Sequence, residues 1–368
     1  MLQDDEQRAR LRLIRTETVG PVTYRQLLAR FGSARHALER LPDLARRGGA
    51  SRFTLASLQA VEAEFAAGLK LGGRWLFVDT AEYPGLLAQI DDAPPVLLAL
   101  GRLSLLQVPA VAMVGARNAS AAGLRLAGTI ARDLAAHGCT VVSGLARGID
   151  TAAHKGALAA PAGGTIGVVA GGADVVYPPE NHALQAAIAE QGVVLSEQPL
   201  GAQPQARHFP RRNRIVSGIS LGVVVVEATP KSGSLITARL AGEQGRQVMA
   251  VPGSPLEPRA QGCNDLIRTG ATLVTSAADV LECLAPLAGP YAPPPLTVAE
   301  ACDDGEPDDA ARAAVLALLS VTPVPIDDLV RWSHVPPGQV AFALLELELA
   351  GRLVRHAGNR VSLVAPAL

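Results

Sequence analysis

Short apolar runs alternate with longer helical stretches between residues 108 and 285. The runs have the length of strands: Val111–Val114, Thr140–Val142, Thr165–Val169, Val193–Leu195, Leu221–Val226 and Val248–Val251. Strand, helix and strand at this spacing predict βαβ units and a parallel sheet covered on both faces. We therefore predict an α/β fold in this region: an extended Rossmann-like, doubly wound, mostly parallel sheet. In such a sheet the ligand site lies at the carboxyl ends of the strands.

The flanking segments have other patterns. Residues 1–70 repeat apolar positions at helical spacing around a turn at Val19–Thr23, which predicts an N-terminal helical domain of the helix-hairpin-helix (SAM-like) kind. Residues 71–107 are predicted to be a connector packed on the core, and residues 108–285 are the Rossmann-like domain. Residues 310–368 show three helical stretches and two short strands, the pattern of a winged-helix domain.

A linker is predicted between the last two domains. Residues 286–309 hold six prolines and six acidic residues and no basic one. That composition favours an extended, self-repelling spacer.

Composition excludes several classes of protein. Hydrophobic residues make up 49 % of the chain and charged residues 18 %, so disorder throughout is excluded. The net charge is −1, so a polyanion site must be a local patch. The four cysteines form no CxxC pair, which argues against a zinc site and favours free thiols in a reducing compartment. No apolar run reaches membrane-spanning length and none forms a leader, so we expect a cytoplasmic protein with no membrane contact.

Two loops that follow the first two strands carry glycine with arginine. The first contains Arg117 where the dinucleotide fingerprint would need its second glycine, and the second contains Gly144 and Arg147. A long cationic side chain can hold a phosphate but prevents the close backbone approach that a dinucleotide requires. No GxxxxGK[ST] motif is present. The loops predict phosphate contacts, without a nucleotide cofactor.

The segment before the fifth strand and the loop after that strand supply the remaining candidates. Arginine can bind the phosphates of a single strand while an aromatic ring stacks on its bases. The first segment provides Arg207, Phe209, Arg211, Arg212, Asn213 and Arg214, and the second provides Lys231, Ser232, Gly233, Ser234 and Thr237. Loops at the carboxyl ends of parallel strands meet at one edge of the sheet, so we expect these residues to converge in one groove.

Several long motifs resemble the DprA/Smf family of DNA-processing proteins. They include VAMVGARNAS, VVSGLARGIDTAAHKGAL, GGADVVYPPEN, HFPRRNRIVSG and VVVVEATPKSGSLITARLA, in family order across residues 108–280. The resemblance implies a non-enzymatic protein that binds and protects incoming single-stranded DNA, dimerises, and helps load RecA during natural transformation, with single-strand-binding protein as a further partner. It also implies DNA contacts by Arg117, Arg147, Phe209, Arg212, Arg214 and Ser232–Ser234.

Two alternatives remain open at this point. The first is a nucleotide or phosphoribosyl hydrolase on a related sheet, with Glu227 or Asp174 as acid or base. The second is a duplex-binding regulator that uses the winged helix. The third helix of that domain has no Lys or Arg between Pro336 and Gly351, which favours a protein partner, although Arg352, Arg355 and Arg360 in the wing could contact DNA.

Overall fold

The structure is a computed structural model that describes residues 4–161, 163–287, 305–356 and 358–365. The chain divides into two compact units: residues 64–293 form a sheet unit, and residues 1–63 together with 294–368 form a terminal unit. The greater part of the predicted linker, residues 288–304, lies outside the described residues.

The helices and strands of the described residues follow in chain order. The helices are α1 (Asp4–Arg15), α2 (Pro21–Phe31), α3 (Ala34–Arg47), α4 (Leu58–Lys70), α5 (Gly85–Ala88), α6 (Ala121–Ala136), α7 (Ile149–Leu158), α8 (His182–Gln191), α9 (His208–Ile219), α10 (Gly233–Glu243), α11 (Gln261–Arg268), α12 (Ala277–Leu284), α13 (Asp309–Ala317), α14 (Ile326–Ser333) and α15 (Pro337–Leu349). The strands are β1 (Arg74–Phe77), β2 (Val96–Gly101), β3 (Ala110–Val114), β4 (Thr140–Ser143), β5 (Gly164–Val168), β6 (Val193–Ser196), β7 (Gly222–Val225), β8 (Gln247–Ala250), β9 (Thr272–Leu273), β10 (Val324–Pro325), β11 (Leu353–His356) and β12 (Arg360–Leu363).

Within the described residues, the sheet unit has nine strands in the order β1-β2-β6-β5-β4-β3-β7-β8-β9. From β6 to β9 neighbouring strands are parallel. The six predicted strands are present within one or two residues, which confirms the doubly wound, mostly parallel fold. Strands β3 to β7 are buried along their whole length, because helices cover both faces of the sheet.

The predicted connector has more structure than the sequence indicated. Residues 74–77 and 96–101 form β1 and β2, and β2 pairs antiparallel with β6. The apolar run Val96–Ala99 is buried, so pairing along β6 satisfies the strand edge and buries these side chains together. The segment extends the sheet rather than only lying upon it.

The chain reverses its direction of winding at β3. Strands β4, β5 and β6 are added on one side of β3, and α9 then leads to β7 on the other side. Helix α9 contacts β3, β4 and β5 as well as α10. In doubly wound sheets ligands bind outside the carboxyl ends of the strands at this switch point. The fold therefore directs attention to the loops after β3, β4 and β7.

The terminal unit contains the N-terminal helices and the predicted winged helix. The predicted helices Ala310–Leu319, Ile326–Trp332 and Gly338–Ala350 correspond to α13, α14 and α15. Strand β10 lies between α13 and α14, and β11 and β12 follow α15. Together they form the three-stranded sheet β10-β12-β11, which confirms the winged-helix prediction. Every helix among the described residues is too short or too polar to span a lipid bilayer.

Candidate nucleic-acid interface

Two adjoining cavities lie at the carboxyl edge of the sheet. The larger has a volume of about 790 Å³ and lies between the loop after β3 and the start of α10. The smaller, of about 330 Å³, lies between the loops after β4 and β5. Five of the described residues line both cavities: Arg117, Asn118, Ala146, Phe209 and Arg212. Because these residues are common to both, the two cavities together form one groove.

Most predicted site residues meet in this groove. Ten of the predicted residues line its two cavities: Arg117, Gly144, Arg147, Phe209, Arg212, Asn213, Ser232, Gly233, Ser234 and Thr237. Arg207 and Arg211 are exposed on either side of Phe209, and Lys231 is exposed beside Ser232. These three cations stand next to the groove without lining it. Positions between the predicted strands therefore placed most of the predicted residues at the correct edge of the sheet, although Phe209, Arg212 and Asn213 lie on α9 and not in a loop.

An aromatic and cationic cluster stands at the centre of the groove. The guanidinium carbon of Arg117 lies 5.4 Å from the centroid of the Phe209 ring. The Tyr177 ring lies 5.6 Å from the same ring, tilted by 55°. Tyr177 is 46 % exposed, an unusual position for a large aromatic side chain. The cluster offers ring faces for stacking and a cation held against a ring.

Tyr177 was not among the predicted site residues. Its neighbours Pro178 and Pro179 indicated only a rigid turn. The chain has just four tyrosines, so an aromatic side chain in a loop after a strand was the signal that could have identified it. Arg259, which lines the larger cavity, was also missed, because it lies after β8, beyond the loops that were predicted to form the groove.

Arg212 is the buried cation of the groove floor. Its side chain is 8 % exposed, and a Cβ at Gly144 would lie 1.1 Å from its Nη1 atom. Burial lowers the pKa of Arg212, the nearby Asp150 opposes this shift, and Arg117 adds to it. Gly144 therefore leaves room for a guanidinium, which is a different role from the DNA contact predicted for it.

Asp150 occupies the backbone amides of the loop after β4. Its carboxylate accepts hydrogen bonds from the N–H groups of Gly144 at 3.1 Å and Ala146 at 3.3 Å. Burial raises the pKa of Asp150, while Arg212 and these N–H groups oppose the rise. The loop resembles an anion nest, but two of its donors already hold an internal carboxylate. The loop also presents the side chain of Arg147 to the smaller cavity, where it pairs with Glu180 at 2.5 Å.

A second internal carboxylate holds Ser120, the residue that caps the helix after β3. Glu227 accepts hydrogen bonds from the Ser120 N–H at 2.9 Å and from its hydroxyl at 2.6 Å. A carboxylate at a helix N-terminus is favourable, because it satisfies free donors and faces the positive end of the dipole. Asp174 likewise accepts from the Gly201 N–H at 2.8 Å. Both carboxylates of the hydrolase alternative thus accept hydrogen bonds from backbone N–H groups.

The start of α10 remains open toward the larger cavity. Ser232 caps this helix by accepting from the Ser234 N–H at 3.3 Å. Gly233, the first residue of the helix, is exposed, and Thr237 lines the cavity one turn later. A helix N-terminus with small side chains lets a phosphate approach the backbone. This is the geometry that the Ser232–Ser234 motif predicted.

Arg214 has different surroundings from the other predicted arginines. It is 6 % exposed and forms ion pairs with Glu197 at 2.6 Å and with Asp92 at 3.3 Å. It therefore ties α9 to the strand β6 and to the segment before β2. The structure does not bring Arg214 together with the groove residues, although the sequence predicted a DNA contact for it.

Two histidines near the groove have lowered pKa values. Burial, Arg207 and Arg211 lower the pKa of His208. Burial and, to a lesser extent, Arg212 lower the pKa of the buried His154 to about 3. Both shifts follow in part from a positive potential at this edge of the sheet. Among the described residues, no group of three or more His, Cys, Asp or Glu side chains is arranged to hold a metal ion.

Acid should destabilise the sheet unit through His154. The pKa of His154 in the folded chain lies below the unfolded value of about 6.5. Between these two pH values the unfolded chain binds a proton at this residue and the folded chain does not. This contribution to stability is complete above that unfolded value and should fall by about 2 kcal/mol between pH 7 and pH 5. Urea unfolding of the wild type and of His154→Leu at several pH values measures this loss of stability. The exposed His137→Gln is the control. An unchanged pH slope in His154→Leu would contradict the assignment.

Fold and site together define a class of protein. A doubly wound sheet presents a groove lined by arginine and phenylalanine, without a dinucleotide or P-loop motif. Such a groove suits a polyanion that carries aromatic rings. The family profile described as DNA recombination-mediator protein A matches residues 74–285. The profiles of a DprA-like N-terminal HHH domain and a DprA winged helix domain match residues 4–67 and 299–359. The chain belongs to the DprA/Smf family.

Individual relatives agree with this assignment. The protein Smf of Synechocystis is 37 % identical over 321 residues, which cover 78 % of this chain and 79 % of the relative. The X-ray structure of DNA processing protein A from Streptococcus pneumoniae matches with a TM-score of 0.64 and 36 % identity, over 77 % of this chain and 98 % of that one. A Helicobacter pylori DNA processing protein A, described for its single-stranded DNA binding mode, matches with a TM-score of 0.52 and 30 % identity, over 58 % and 96 %.

Proposed function

We propose that this chain binds single-stranded DNA in the groove at the carboxyl edge of its sheet and performs no catalysis. The arrangement of Arg117, Phe209 and Tyr177 is the observation that carries the proposal. Bases can stack on rings only where they are not already stacked in a duplex, and stacking is tolerant of sequence. The single-stranded DNA binding of the Helicobacter pylori relative supports the same ligand for this chain.

The biological role we propose follows from family membership. A protein of this family would coat single-stranded DNA that enters the cytoplasm during natural transformation and help load RecA on it, acting as a homodimer and meeting single-strand-binding protein on the same strand. The description of the family as a recombination mediator supports this role. A strand-exchange assay tests it: the protein should relieve the inhibition that single-strand-binding protein imposes on RecA. Absence of relief would leave DNA binding without mediation.

Binding should depend steeply on salt and weaken when Arg117 is removed. Log K should fall by about 0.7 for each phosphate neutralised per unit of log salt, so Arg117→Ala should flatten this slope by up to about 0.7. Titrations of a labelled oligonucleotide at several salt concentrations measure the slope. Arg132→Ala is the matched control, because this exposed arginine pairs with Asp133 near the far end of α6, away from the groove.

Two outcomes of the same titration, and one outcome of a separate turnover assay, would contradict the proposal. The first is equal affinity for a duplex of the same length, because stacked bases cannot reach the rings. The second is a salt slope that Arg117→Ala and Arg132→Ala change equally. The third is turnover of a nucleotide that disappears in Glu227→Gln, which would restore the hydrolase alternative.

A further inference from the structure

Helix α15 of the winged helix is buried on two opposite faces. One face belongs to the core of the winged helix itself, with Val340, Ala343, Leu344 and Leu347. At 100° per residue, Phe342, Leu345 and Leu349 lie on the other side of the helix, and each is no more than 3 % exposed. A helix that enters a DNA groove leaves this second face open. Here the second face is covered.

The cover is supplied by the N-terminal helices of the same unit. Helices α2 and α3 pack against α15. The backbone of Gly48, just after α3, comes so close that a Cβ there would lie 1.9 Å from the carbonyl oxygen of Glu346. The guanidinium carbon of Arg30 on α2 lies 4.2 Å from the centroid of the Phe342 ring. Contacts this close form an interdigitated protein interface.

The arginines of the wing take part in the same interface. Arg352 donates a hydrogen bond to the Gly48 carbonyl at 3.1 Å. Arg355 donates to Glu348 at 2.9 Å and to the Gln26 side chain, on α2, at 3.3 Å. On its acidic side, α15 buries Glu346 in a two-pronged pair with Arg312 of α13, at 2.7 and 3.0 Å. Two of the cations that a duplex would need are thus engaged by protein.

We propose that α15 and the wing form a protein-binding surface whose partner is the N-terminal helical module of the same chain. The winged helix therefore packs against the N-terminal helices of the same polypeptide and does not read duplex DNA. This inference is independent of the proposed single-strand site, because that site lies wholly in the other unit. It also accounts for the absence of Lys and Arg in α15, which a protein surface does not require.

The test keeps the full chain and cuts it after folding. A protease site placed within residues 290–300, in the Pro-rich acidic segment, is cleaved in the purified protein. If this intramolecular interface exists, the C-terminal fragment stays bound to the rest of the protein in gel filtration. Gly48→Ala should weaken its retention about 10- to 100-fold, because the new Cβ meets helix backbone that cannot move aside. Gly48 has φ −69°, so alanine causes no strain of its own.

Two further variants isolate the contact at Gly48. Gly20→Ala adds a methyl group in the same module where nothing lies within 4 Å, and it should retain the fragment. Arg352→Ala, which removes the side-chain bond to the Gly48 carbonyl and adds no steric clash, should weaken retention less than Gly48→Ala. Release of the fragment from the wild-type protein, or equal retention in Gly48→Ala, would overturn the proposal. So would duplex binding that appears only in uncut Gly48→Ala, because α15 would then be a covered DNA reader. None of these results depends on single-strand affinity, which the oligonucleotide titration measures separately.

Discussion

Arg212→Ala should lower the free energy of unfolding by about 3–5 kcal/mol, the usual cost of leaving a buried charge without its partner. The side chain is 8 % exposed and interacts electrostatically with the buried Asp150. Removal of the guanidinium also leaves a void above Gly144, where the side chain now lies. Urea unfolding measures the loss, with Arg117→Ala as the exposed control, for which we expect a change within about 0.5 kcal/mol.

A second variant identifies the cause of this loss. In Arg212→Ala with Asp150→Asn the buried negative charge is gone, while the amide oxygen can still accept from Gly144 and Ala146. The double variant should therefore lose less stability than the sum of the two single variants. Additive losses would show that Arg212 does not act through Asp150. Wild-type stability in Arg212→Ala would mean that the guanidinium is solvated.

The elements of the sheet could be predicted because their signals are local. Buried parallel strands are continuous apolar runs of strand length, and the run Val223–Val226 needs no knowledge of its neighbours to be identified. The membership of β1 and β2 in the sheet was harder to predict. Trp75–Val78 and Val96–Ala99 are similar runs, but the pairing of β2 with β6, about 100 residues later in the chain, depends on the completed sheet edge.

The groove could be predicted as a place but not as a set of contacts. Position after a strand puts Arg117 and Phe209 at one edge, which follows from topology alone. Whether an arginine on α9 points into the groove or into the protein depends on what lies opposite. Arg214 meets Glu197 and Asp92, and Arg212 meets Asp150, all distant in sequence. The sequence alone does not distinguish the four arginines of this segment, Arg207, Arg211, Arg212 and Arg214. Only their packing in the folded chain shows which are exposed and which are buried.

The backbone amides show the same difficulty. Glycine and serine after β3 and β4 indicate free N–H donors, and the structure has those donors. Asp150 and Glu227 hold several of them, so internal carboxylates sit where a phosphate was expected. A sequence motif for an anion site does not tell whether the anion is a ligand or a side chain. In this groove the start of α10 is where the motif and an open cavity coincide.

Phe209→Ala should weaken binding to single-stranded DNA by about 1–3 kcal/mol, the usual value of one stacked base. This corresponds to roughly 5- to 150-fold in the dissociation constant. The ring is half-buried between Arg117 and Tyr177, so its loss removes a stacking face and the contact that positions the arginine. Oligonucleotide titration at fixed salt measures the change, and Phe209→Tyr, which keeps a ring, should bind like the wild type.

Phe209→Leu distinguishes stacking from packing. Leucine restores most of the apolar bulk against the cavity wall but has no ring face, so we expect its affinity to stay low while its stability returns toward that of the wild type. If Phe209 served only as a packing residue, Phe209→Ala would lose thermal stability while its folded fraction bound DNA normally. Phe209→Leu would then match the wild type in both stability and affinity. Because Arg117 rests on the same ring, the double variant with Phe209→Ala and Arg117→Ala should lose less binding free energy than the sum of the two single variants. Additive losses would mean that the arginine holds its phosphate without support from the ring.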